Sequence, residues 1–143
     1  MLVCSRLAWY DIKMSEEIDV QKVVDFWQES AQRNFETAEF LFQGKKYADC
    51  LFYCHLAIEK IFKGLVVKKI NAHAPFSHSL LDLAKLAGLE LDEQKINHLI
   101  EITGFNIAGR YDDYKFGFYK KCDQEYAEKY FKISKEIYLW LKQ

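Results

Sequence analysis

The sequence predicts an all-α protein, an up-and-down antiparallel bundle of four to five helices. Three observations point there. One proline and six glycines in 143 residues leave few compulsory chain breaks. Apolar residues recur at steps of three and four along every long segment, and strand-like alternation is absent. Half of the residues are apolar and 16% are aromatic, a composition that supplies a core for a single domain of this length.

The first helix reads over 19–45, where Val20, Val24, Trp27, Ala31, Phe35, Ala38 and Phe42 form one stripe. Asp19 suits its N-cap and Gly44 its end. The second reads over 46–70, with Leu51, Cys54, Ile58, Ile61 and Leu65 as its main stripe. Cys50, Ala57 and Gly64 add a row of small residues spaced by seven, which lets another helix come close. This helix is expected to lie centrally and to touch two neighbours. NAHAPFSH (71–78) breaks it around Pro75. Ser79 and Asp82 match the S-x-x-[DE] capping pattern and open a short helix, LLDLAKLA, ended by Gly88. Asp92 caps a fourth helix over about 93–108, with Ile96, Leu99, Ile100 and Thr103 inward. The rest of GFNIAGRYDDYKF (104–116) reads as a loop. Asp123 caps the last helix, 124–142, striped by Ala127, Tyr130, Phe131, Ser134, Ile137, Tyr138 and Leu141. Residues 1–18 read as an N-terminal arm or extended start ahead of one bundle domain over 19–143. Met14 opens MSEEIDV, an acidic lead into the first helix, so residues 1–13 carry no part of the fold argument.

Twenty basic residues face 21 acidic ones, for a net charge of −1. That gives no global pull toward nucleic acid or an anionic membrane. No apolar run reaches the roughly 18 residues of a membrane span, and MLVCSRLAWYDIK is too short and interrupted for a signal peptide. Cys4, Cys50, Cys54 and Cys122 contain no CxxC pair. Cys50 and Cys54 sit at helical spacing beside His55, but a second ligand pair is missing, so they read as small buried side chains in a reducing, cytoplasmic setting. Neither a metal nor a cofactor is expected. Phosphate-cradling glycine loops, a GxSxG elbow and an HExxH helix are all absent.

Three stretches carry the remaining chemistry: CHLAIEKIFKG (54–64), FSHSLLDL (76–83) and NIAGRYDD (106–113). Glu59, Lys60 and Lys63 stand opposite much of the core stripe, and Glu59 with Lys63 reads as an ordinary i, i+4 pair on a solvated face. His78 precedes a helix start, where it is expected to help satisfy free backbone groups. His55 and His98 lie inside helices and read as structural. Arg110 is one of only three arginines, with Arg6 and Arg33. It reads either as a helix-terminal arginine meeting carbonyls or as a planar contact for phosphate or carboxylate. Asp112 and Asp113 suit a turn better than a metal pair. Tyr111, Tyr114, Phe116, Phe118 and Tyr119 could stack bases, or form a packed interface.

In this order, Trp27 and Ala31, then GKKYADC entering a helix with Ala57, Ile58, Glu59, Lys60 and Lys63, then His78, a leucine-rich helix, Arg110-Tyr111 with an aspartate after it, and a final amphipathic helix resemble the HEPN domain family over about 19–142. The resemblance implies a helical bundle that commonly forms homodimers, often beside a minimal nucleotidyltransferase partner in a toxin–antitoxin-like pair. Many such proteins are metal-independent ribonucleases, with an arginine followed four to six residues later by a histidine. Here those positions are Tyr114, Lys115 and Phe116, and no histidine follows His98. Tyrosine, with an ordinary pKa near 10, is a poor substitute. Catalysis is therefore not expected. The resemblance implies a binding module instead, for a nucleotide, RNA or a nucleotidyltransferase partner. Arg110, Lys60 and Lys63 would meet phosphate or partner carboxylates, Tyr111 and Tyr114 would stack, and Glu59, Asp113 and His78 would belong to the same contact set. The alternatives are a ribonuclease toxin in which His78 or His98 replaces the missing histidine, and a purely structural oligomerisation partner.

Overall fold

A computed structural model describes residues 18–110 and 112–143, and of 112–115 the backbone alone. The first 17 residues of the N-terminal arm lie outside the described residues. Six helices run through the rest: α1 (Val20–Gln43), α2 (Tyr47–Ile70), α3 (Leu80–Leu86), α4 (Glu93–Arg110), α5 (Asp112–Lys121) and α6 (Gln124–Lys142).

The start signals act as expected. Asp19, Ser79, Asp92 and Asp123 each accept a hydrogen bond from the backbone N–H three residues on, at 2.8–3.3 Å. Gly44 closes α1 through its N–H to the Phe40 carbonyl, and the left-handed residue of that turn is Lys45 (φ 60°). Gly88 ends α3 with φ 73°, where a side chain would be strained.

The long helices pair antiparallel. Along α1 and α2, a Cβ on Gly64 would touch Trp27 at 3.4 Å, while Ala38 packs on Cys50 and Cys54 and Phe42 on Tyr47. Between α1 and α6, Phe35 stacks on Tyr138 (4.6 Å between ring centroids) and Phe42 on Phe131 (4.7 Å). Between α4 and α6, Lys95 lies over Trp140, and Phe105 meets Tyr126 and Tyr130. So α1 and α4 run one way, α2 and α6 the other, with α3 and α5 filling the ends.

Four expectations need correction. The loop expected after 108 is largely helix: α4 continues to Arg110 and α5 begins at Asp112, giving six helices among the described residues rather than four or five. Glycine is tolerated inside a helix at about 1 kcal/mol relative to alanine, and without proline Gly104, Gly109 and Gly117 do not stop one. The central α2 touches all five other helices, not two. Ile100 is 54% exposed, whereas Ile102, Phe105 and Asn106 join Leu99 on the buried face of α4. Finally, the face carrying Glu59 and Lys63 is not solvated: the two are 4% and 7% exposed, because a helix with neighbours all round has no free side there.

Candidate functional site

His55, Glu59 and Lys63 follow one another at steps of four and so share a face of α2. The loop 71–79 and α1 cover that face. Glu59 Oε1 accepts from His78 Nδ1 at 2.6 Å, and its Oε2 lies 3.5 Å from Lys63 Nζ. The Lys63 ammonium also sits 5.3 Å from the centre of the Trp27 ring. With the Glu59 carboxylate as acceptor, His78 Nδ1 carries the hydrogen of this bond. Half of the His78 side chain is exposed.

Behind it lies His55, fully buried. Its Nε2 is 3.2 Å from the His78 carbonyl. A carbonyl cannot donate, so Nε2 holds the hydrogen, and Nδ1 is a buried acceptor with no partner among the described residues. Burial pushes the His55 pKa down to about 4. Glu59 and the His78 carbonyl oppose the shift, while the charges of His78 and Arg110 deepen it.

The facing stripe comes from α4. Thr103, Asn106 and Arg110 recur at steps of three and four. Thr103 Oγ1 accepts from the Leu80 N–H at 3.3 Å, which ties α4 to the segment after His78. Asn106, buried, accepts from Arg110 Nε at 2.7 Å. The guanidinium carbon lies 5.8 Å from the centre of the Phe52 ring on α2. Gly109 makes this possible: a Cβ there would stand 2.4 Å from Phe52 Cδ2, so the ring could not lie against α4. The bond to Asn106 uses Nε, so it does not consume the planar NH₂ edge of the exposed side chain.

The structure thus brings Glu59, Lys63 and His78 into one network, and places His55 within electrostatic reach of both that network and Arg110. Lys60 stands apart. Its ammonium donates to Ser30 on α1 at 2.7 Å, and burial lowers its pKa. Lys63, buried and paired, is an internal counter-charge rather than an outward contact. His78 does not serve free backbone groups through its ring, since the Ser79 hydroxyl caps α3 and the imidazole goes to Glu59. Tyr111, and the side chains of Asp113 and Tyr114, lie outside the described residues. Of the other aromatics, Phe118 is buried against Phe105, while Phe116 and Tyr119 are exposed. No three His, Cys, Asp or Glu side chains gather to hold a metal among the described residues, and none of their helices is long and apolar enough to cross a membrane.

Sequence reading missed Phe52, Asn106 and the linking position of His55. A signal existed for Asn106, a lone amide on an apolar helix face four residues before an arginine. Phe52 gave none, because its role depends on a glycine far along the chain.

The family model of the HEPN domain matches residues 24–143. The chain belongs to the HEPN domain family. The crystal structure of TT1696 from Thermus thermophilus resembles it with a TM-score of 0.69 at 23% identity, covering 83% of this chain and 95% of that one. At that identity the likeness is one of fold. No curated protein matches the chain. The matched span of this HEPN domain takes in the whole His55–Glu59–Lys63–His78 network and Arg110.

Proposed function

We propose that this HEPN domain is a non-catalytic binding module which, as a homodimer, holds a phosphate-bearing ligand, a nucleotide or RNA, at the edge of α2 and α4. In a toxin–antitoxin-like pair the same edge would serve acidic groups of a nucleotidyltransferase partner. The observation that carries this reading is the oriented guanidinium of Arg110, exposed but fixed by Asn106 and Phe52. An arginine held in this way loses less freedom when it forms a bidentate contact. The test is titration of nucleoside triphosphates and single-stranded RNA against the protein and its Arg110→Ala variant. Loss of one charge-assisted contact is expected to weaken binding by about tenfold or more, and to lower the salt slope by about one counterion. Equal affinity in the variant would remove Arg110 from the site.

A second reading has one observation in its favour. His78 with a buried carboxylate on Nδ1 is the pairing a general acid–base histidine uses. His98 has no comparable support, so a ribonuclease built on this chain would use His78. RNA left intact after incubation with the dimeric protein ends that reading.

A further inference from the structure

The loop between α2 and α3 holds an aromatic ring in open water. Phe76 is fully exposed. A lone apolar side chain on a loose tip would mean little, but this loop is anchored at several points. Pro75 fixes its own φ. The Ser77 N–H reaches the Pro75 carbonyl at 3.0 Å, and the Ser79 N–H the Ser77 hydroxyl at 3.2 Å. The His78 ring is tied to Glu59, its carbonyl to His55, and the Leu80 N–H to Thr103. Two helices therefore hold the segment that presents the ring. Phe76 and His78 are two residues apart, so their Cα atoms are within about 7 Å. In its imidazolium form His78 donates from both nitrogens, one to Glu59 and one outward.

We propose that Phe76 is a stacking platform for a nucleobase, with the adjoining phosphate against the outer edge of His78. The subsite rests on the phosphate-ligand reading above and names the part of the ligand that reading leaves open. A flat ring beside a hydrogen-bond donor suits single-stranded nucleic acid, because every base offers a π-face whatever its sequence.

The experiment compares a short single-stranded RNA with an abasic ribose-phosphate chain of the same length. Both are titrated against the wild type, Phe76→Ala, Phe76→Trp and Arg110→Ala. The wild type is expected to prefer the base-bearing chain by roughly 5- to 150-fold, the usual worth of one stacked base. Phe76→Ala should abolish that preference and leave abasic binding unchanged, Phe76→Trp should retain it, and Arg110→Ala should weaken both ligands together. A preference that survives in Phe76→Ala overturns the subsite and leaves the phosphate reading intact. A wild type that binds neither chain overturns both. A ring needed for capture of a protein partner but not for base preference also overturns the subsite, in favour of a protein contact.

Discussion

Replacing Glu59 with alanine is expected to destabilise the fold by about 3–5 kcal/mol, the usual cost of removing one member of a buried ion pair. The cost does not come from the strength of the pair itself. Taking two charges out of water nearly cancels their attraction, and what remains after the substitution is an ammonium, Lys63, in a site with little solvent to replace the lost carboxylate. His78 loses its partner as well, and with it one anchor of the 71–79 loop. Urea denaturation gives the number directly. Two further variants separate the causes. Glu59→Gln keeps the size and an acceptor for His78, and is expected to lose less. The double variant Glu59→Met with Lys63→Met removes both charges and should regain much of the loss, as apolar replacements of buried pairs do. A drop below about 1 kcal/mol in Glu59→Ala would show that water or movement of Lys63 relieves the stranded charge.

Acidification is expected to weaken the fold through His55. Its ordinary pKa of about 6.5 applies to the unfolded chain, and burial holds it at about 4 in the fold. Between these values the unfolded chain binds the proton and the native state resists it, so stability falls as pH drops below 6.5 and the loss is complete near 4. At about 1.36 kcal/mol per unit, the shift corresponds to roughly 3 kcal/mol. The structural reason is plain: a proton on Nδ1 would be a buried donor within reach of the charges of His78 and Arg110, with no acceptor among the described residues to meet it. Carboxylates also titrate in this range, so the informative quantity is a difference. The loss of stability from pH 7 to pH 4 should be about 3 kcal/mol smaller in His55→Gln than in the wild type. Equal losses would mean that His55 takes up its proton over the same pH range in the native and unfolded states.

Most of the bundle was legible because its signals are local. The stripes of α1 and α6, and the caps at Asp19, Ser79 and Asp123, depend on residues one or two turns apart, and they emerged where they were read. The stretch after Arg110 misled because its two aspartates and flanking glycines look like turn chemistry, while the backbone between Asp112 and Lys121 is helical. The candidate site was harder for another reason. A Glu and a Lys four apart give the same pattern on a wet face and in a crowded one. Only the number of helices around α2 decides between them, and that number is a property of the assembled chain. The pairing of His78 with Glu59 spans 19 residues, and the support of Arg110 by Phe52 joins helices far apart in sequence. Neither contact has a spacing rule that a sequence could display.

The central position of α2 has a consequence for biosynthesis. The hairpin of α1 and α2 is complete by Ile70, but the surface that α2 turns toward α6 stays uncovered until the chain has been made to Lys142. At ordinary translation rates those further residues take roughly 4 to 14 s. Leu51, Ile58 and Phe62, all fully buried in the finished bundle, lie on a helix that lacks its last neighbour for that interval. The arrangement that packs α2 against every other helix of the mature protein is thus also the one that leaves the nascent α2 incompletely covered until the last helix is made.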